Sequence, residues 1–162
     1  MAHRIDFESL FSLEGRIALI SGASSGLGEH FAQVLSGAGA HVVVSARRAD
    51  RLTSLVQMLR DQGGKADAIT MDVTSRESVR EAFEAFDEQF SQLDILVNNA
   101  GIANPPLRFV DATEDDWGPV LDVNLTGAWR VAQEAARRMK QQRSGNIAVS
   151  YTHLRAHETI DD

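Results

Sequence analysis

The sequence predicts an α/β fold, a doubly wound parallel sheet, on three observations. Short apolar, β-branched runs alternate with stretches of helical period. Each strand-plus-helix repeat is close to the ~30 residues of a βαβ unit. Glycines and capping residues stand where the period changes. Such alternation implies a parallel sheet covered on both faces, with a ligand crevice at the C-terminal ends of its strands.

The elements follow in order. Ile17 to Ile20, between Gly15 and Gly22, suits a buried parallel strand. Leu27, Phe31, Val34, Leu35 and Ala38 share one helix face, which Gly39 closes. Val42 to Val44 forms a second strand. Leu52, Leu55, Val56 and Leu59 repeat the helical spacing up to Gly63-Gly64. Ala66 to Val73 supplies a third strand. Thr74-Ser75-Arg76-Glu77 reads as a capping box opening a helix that carries Val79, Ala82, Phe83, Phe86 and Phe90. Leu93 to Val97 is a fourth strand, and Asn104-Pro105-Pro106 marks a loop. Helical pattern resumes near Thr113, with Leu125, Ala128, Ala132, Ala135 and Met139 as its later apolar face. Ser144-Gly145 breaks it, and Ile147 begins a fifth strand.

Bulk properties narrow the function classes. A chain of 162 residues, 43% apolar, is sized for one globular domain. A formal charge of −7 argues against a nucleic-acid or anionic-membrane surface. The absence of cysteine excludes disulfides and thiolate metal sites. Met1 to Gly15 has no continuous apolar core of the signal-peptide kind, and no run reaches the ~20 apolar residues of a membrane span. A cytoplasmic domain without a metal is the expectation.

Between the first strand and first helix lies Ser21-Gly22-Ala23-Ser24-Ser25-Gly26-Leu27-Gly28. Glycine allows a tight turn and close backbone approach, and a helix N-terminus offers N–H groups and a positive dipole end to a pyrophosphate. Three glycines in such a turn also suit ordinary packing. The spacing G-x-x-x-G-x-G, however, resembles the short-chain dehydrogenase/reductase family, whose hallmark T-G-x-x-x-G-x-G tolerates Ser for Thr. The resemblance runs from Leu13-Glu14-Gly15-Arg16 through Ile147. It implies a Rossmann-type fold with Gly22, Ser24, Ser25, Gly26, Leu27 and Gly28 at the cofactor. Asp72-Val73 resembles the family's adenine-contacting pair. Asn98-Asn99-Ala100-Gly101 is similar to its N-N-A-G motif, which places Asn99, Ala100 and Gly101 beside the cofactor. Asn124 matches the helix asparagine that holds a water in the proton relay, the one catalytic position implied here.

The end of the second strand bears on cofactor choice. An acidic residue there binds the ribose 2′-OH of NAD, whereas arginine accommodates the 2′-phosphate of NADP. Ala46 stands at the acidic position and is followed by Arg47 and Arg48. A guanidinium fork matches phosphate geometry. Two arginines at a helix start also suit a solvated surface, but NADP(H) is favoured, with NAD(H) the second candidate.

The family's chemistry needs a Ser at the end of the fifth strand and a Tyr-x-x-x-Lys beyond it, the Lys lowering the Tyr pKa while Tyr exchanges a proton with the carbonyl oxygen. After Ile147 the chain reads Ala148-Val149-Ser150-Tyr151-Thr152-His153-Leu154-Arg155-Ala156-His157-Glu158-Thr159. That run resembles the translation of a transposase sequencing adapter, with Ile160-Asp161-Asp162 as an index read. Two segments are therefore expected: 1–147, the N-terminal part of one dinucleotide-binding domain, and 148–162, a non-native tail. The doubly wound sheet is then incomplete, lacking its C-terminal strands and helices. Tyr151 and Arg155 imitate Tyr-x-x-x-Lys, but arginine stays protonated. His153 and His157 have zinc-pair spacing without the Glu of H-E-x-x-H. Ser150 falls two places before the expected Ser. His3, His30 and His41 read as structural or surface residues.

The resemblance implies an NADP(H)-dependent alcohol dehydrogenase or carbonyl reductase, acting on a small-molecule alcohol or carbonyl as a homo-oligomer, with this chain inactive. The alternative is a non-catalytic NADP(H)-binding sensor module.

Overall fold

The computed structural model describes residues 10–103 and 108–150. Its strands and helices alternate: β1 (Ile17–Ser21), α1 (Gly26–Gly37), β2 (His41–Ala46), α2 (Ala49–Asp61), β3 (Lys65–Thr70), α3 (Arg76–Gln89) and β4 (Ile95–Asn98). Then come α4 (Glu114–Leu121), a π-helical turn (Asp122–Gly127), α5 (Ala128–Gln142) and β5 (Asn146–Val149). The five strands are parallel, in the order β3-β2-β1-β4-β5. The order reverses direction beside β1, which opens a crevice between the β1 and β4 ends.

Both sheet faces are apolar because both are covered. Ala18, Ile20, Val42 and Val44 face Ala32 of α1 and Leu52, Leu55 and Leu59 of α2. Leu19, Val43, Ile69 and Leu96 face Phe83 and Phe86 of α3 and Val131 and Ala135 of α5. A buried carboxylate ties the lower end of the sheet: Asp94 accepts from Ile17 N at 2.9 Å, Arg16 Nη1 at 2.9 Å and Gln92 Nε2 at 2.9 Å. At the same end, His41 Nε2 lies 2.6 Å from Asp67 Oδ2, and its ring meets Phe90 edge-on at 4.9 Å. His41 is thus structural and lies away from the strand C-termini.

Four local expectations differ from the structure. In α1 the buried residues are Gly28 and Ala32, while Leu27 is 58% exposed and Val34 is also exposed. The helix sits so close to the β1 turn that only small residues fit under it. The N-cap of α3 is Ser75, whose Oγ accepts from Ser78 N at 3.2 Å. Thr74 instead donates to Asp72, and Glu77 pairs with Arg80, so the expected box does not form. β3 ends at Thr70, leaving Asp72 and Val73 in a turn.

The last difference concerns the segment after α4. Buried residues there recur every four positions, at Val123, Gly127, Val131, Ala135 and Met139, and Leu125 is 64% exposed. The π-helical turn spends extra residues per turn, so the α-helical period assigned to Leu125 does not hold across it. The complete capping box of this region is at Thr113 and Asp116. Asn104, Pro105 and Pro106 lie outside the described residues.

Candidate functional site

A crevice of about 840 Å³ opens at the C-terminal ends of the strands. Its floor forms from backbone approach. Gly22 has φ +69°, and a β-carbon there would lie 2.6 Å from Ala100 Cα. A side chain at Gly28 would likewise meet Asn99 Nδ2 at 2.6 Å and the Gly22 carbonyl. The two glycines therefore do different work. Gly22 turns the chain and admits Ala100; Gly28 lets α1 press onto that turn, so that Ser25 and Leu27 at the start of the helix border the crevice.

Ser21 joins the halves of the sheet beneath this turn. Fully buried, its Oγ donates to Asn98 Oδ1 at 3.1 Å and accepts from Asn99 N at 3.0 Å and Ala100 N at 3.1 Å. Asn99 Nδ2 returns to the carbonyls of Ser21 and Gly22, both at 3.3 Å. Asn98 Nδ2 donates to Ala128 O at 2.7 Å, which anchors the start of α5.

The structure brings the sequence candidates together, with two exceptions. Gly22, Ser24, Ser25 and Leu27 line the crevice from the β1 side, and Arg47, Arg48, Asp72 and Val73 from the β2–β3 side. Asn99, Ala100, Gly101 and Asn124 line it from the β4 side. Gly26 and Gly28 do not reach it; they shape the turn. Leu27, expected in a helix core face, is exposed because it points into this opening.

Arg48 Nη2 donates to Ser24 Oγ at 2.9 Å and Ser25 Oγ at 3.1 Å. One guanidinium and two hydroxyls thus gather at the rim. Asp72 Oδ1 accepts from Thr74 N at 2.9 Å and Thr74 Oγ1 at 2.8 Å. Burial pushes this carboxyl up, but the two Thr74 donors and the Arg47 charge outweigh it and hold it below the ordinary carboxylate value.

Asn124 sits in the π-helical turn, and π turns gather at functional sites. Its side-chain amide pairs with the backbone of Ile102: Oδ1 accepts from Ile102 N at 2.8 Å, and Nδ2 donates to Ile102 O at 2.9 Å. The amide thereby holds the segment after Gly101 beside the crevice. Ser150 also lines it, with its N–H bonded to Asn98 O at 3.1 Å. Tyr151, His153, Arg155 and His157 lie outside the described residues, as does His3.

Sequence reasoning passed over several lining residues. Ser45 is 1% exposed, borders the crevice, and has no hydrogen-bond partner for its Oγ among the described residues. An orphaned hydroxyl in a cleft suits a polar ligand. Nothing in the local pattern distinguishes Ser45 from any other small strand residue. The role of Ser21 was nearer to hand, since it holds the Thr/Ser place of the glycine motif.

The sequence profile described as short chain dehydrogenase matches residues 16–151. The chain belongs to that family. Among curated short-chain dehydrogenase relatives, it is 38% identical over 146 residues to the uncharacterized oxidoreductase YgcW of Escherichia coli, covering 90% of this chain and 54% of the relative. It is 37% identical over 135 residues to the 3-oxoacyl-(acyl-carrier-protein) reductase FabG of Thermotoga maritima, covering 83% and 54%. Among solved structures, a gluconate 5-dehydrogenase from Burkholderia cenocepacia, in complex with NADP and tartrate, superposes with a TM-score of 0.80 at 38% identity, over 86% of this chain and 54% of that one. The chain thus spans about half the length of the short-chain dehydrogenases it matches, and the Rossmann-type sheet is incomplete beside theirs. No helix among the described residues is long and apolar enough to cross a membrane.

Proposed function

We propose that this chain is the cofactor-binding part of an NADP(H)-dependent alcohol dehydrogenase or carbonyl reductase, a cytoplasmic homo-oligomer acting on a small molecule. The observation that carries the NADP(H) reading is the rim cluster, where Arg48 bridges Ser24 and Ser25 beside Arg47, with no carboxylate at Ala46. An acidic side chain at Ala46 would repel a 2′-phosphate and pair with a 2′-OH; alanine places no competing carboxylate beside the two arginines. The NADP complex of the gluconate 5-dehydrogenase agrees with this reading.

Bound NADP(H) would supply or accept the hydride. The chain's own residues do the rest of the binding. The glycine turn and the α1 N-terminus would hold the pyrophosphate, and Asp72 with Val73 would wall the adenosine end. Asn99, Ala100 and Gly101 border the remaining length, and Asn124 holds the segment after Gly101 where the proton relay would pass. The sole tyrosine, Tyr151, is followed four places later by Arg155, so the sequence contains no Tyr-x-x-x-Lys. On this reading residues 148–162 are a non-native tail and the chain binds cofactor without turning over substrate.

Titration of NADPH and NADH against the chain and its Arg47→Ala and Arg48→Ala variants tests the cofactor. NADPH binding should weaken by roughly 1.5–3 kcal/mol, the scale of a charged hydrogen bond, and NADH binding should barely change. Equal loss for both cofactors would sink the assignment.

A further inference from the structure

We propose that Arg130 is a positioning residue that holds the adenosine-side wall of the crevice in place from α5. The inference rests on reading the crevice as a dinucleotide site. Asp72 and Val73 form that wall, yet β3 has already ended at Thr70, and the last ladder bond runs from Met71 N to Ala46 O at 3.0 Å. From Asp72 to Ser75 the turn bonds mainly to itself and to α3. Thr74 N and Ser75 N return to Asp72, and Asp72 N donates to Ser78 Oγ at 2.9 Å. None of these bonds uses the carbonyls of Val73 and Thr74.

Arg130 takes both. Its Nη1 donates to Thr74 O at 2.6 Å and to Val73 O at 3.3 Å. One helical turn earlier, a β-carbon on Gly127 would lie 2.8 Å from Val73 Cγ2, so the start of α5 rests directly on the same residue. The segment that grips the wall also carries Asn124, three residues before Gly127. Its Ala128 carbonyl is tied to Asn98 at 2.7 Å. The adenosine wall and the Asn124 end of the crevice therefore share one support.

The chemistry is unlike that of a stabilising ion pair. Arg130 faces two neutral carbonyls, and its Nε is buried with no partner among the described residues. Desolvating a guanidinium on those terms is costly, so an apolar replacement should leave folding stability close to its starting value. What the replacement should lose is the placement of Val73 and Thr74.

The test uses the whole chain with Arg130→Met and Arg130→Lys, and titrates adenosine 2′,5′-bisphosphate and nicotinamide mononucleotide separately by NMR. Arg130→Met should bind the adenosine ligand about tenfold more weakly, a loss on the scale of one hydrogen bond. It should bind the mononucleotide as before, and amide exchange at Val73 to Ser75 should quicken. Arg130→Lys, with a single ammonium in place of the fork, should fall between. If Arg130→Met does not fold, Arg130→Lys carries the test through the same selective loss. Unchanged adenosine binding, or equal loss for both ligands, overturns the inference. Failure of the unsubstituted chain to bind the adenosine ligand or NADPH overturns the dinucleotide reading instead.

Discussion

A β-carbon placed on Gly22 would lie 2.6 Å from Ala100 Cα and 2.9 Å from Ala100 N. The turn after β1 and the segment after β4 are thus in backbone contact, 78 residues apart in sequence, and that contact forms the floor of the crevice. Gly26 also has a left-handed φ, +62°, but a β-carbon there meets nothing within 4 Å.

The pair yields a graded prediction. Gly26→Ala should lose only the left-handed backbone cost, roughly 1–2 kcal/mol. Gly22→Ala adds an overpacking cost of about 1–3 kcal/mol and should lose NADPH binding as well, because Ala100 must shift. Urea midpoints at constant slope would measure both. Equal destabilisation by the two substitutions would contradict the contact.

Asp72 predicts an acid-side dependence. Its folded pKa lies below the ordinary 3.8, so its contribution to stability is present above that value and is lost as pH falls through the folded pKa. Thr74→Val removes the hydroxyl donor and leaves the backbone N–H. The Asp72 carboxyl, followed by NMR, should then titrate closer to 3.8, and the acid-side loss of stability should become smaller and be complete at higher pH. A titration unchanged by Thr74→Val would mean the hydroxyl contributes nothing.

Catalysis offers a simpler outcome. The chain should show no NADPH oxidation with aldehyde or ketone substrates, because no lysine follows its tyrosine at the required spacing. Tyr151→Phe should therefore change nothing. Turnover that disappears in Tyr151→Phe would refute the tail assignment and give Tyr151 a catalytic role.

β5 is the edge of the described sheet beyond β4, and its side chains are exposed, Ile147 at 40% and Val149 at 54%. An apolar edge strand invites pairing with another chain. The chain should self-associate with rising concentration, and Ile147→Lys should suppress this in sedimentation velocity. Association untouched by Ile147→Lys would locate the contact elsewhere.

Much of this architecture was legible in the residues because period and punctuation are local properties. Ile17 to Ile20 and Leu52 to Leu59 each carry their element type within a few neighbours, and each formed the strand or helix expected. The glycine spacing and the N-N-A-G run placed candidates from opposite ends of the segment, and these, apart from Gly26 and Gly28, line one crevice. Where a local pattern had two solutions, it misled. Thr74 and Ser75 are both capping residues, and the choice fell to Ser75 because Asp72 occupies Thr74.

The sequence by itself determined the order and kind of the elements, the parallel sheet they imply, and the residues of the glycine turn. Only the tertiary structure decided that Leu27 leaves the helix core face for the crevice, that Leu125 faces outward, and that Ser21 links the strand ends. It also set Arg48 on Ser24 and Ser25, and Arg130 on Val73 and Thr74. The reason is range. A helix or strand is specified by residues three or four places apart, whereas these contacts join positions 23 to 77 apart, whose meeting depends on strand order, helix rotation and the extra residue of a π turn.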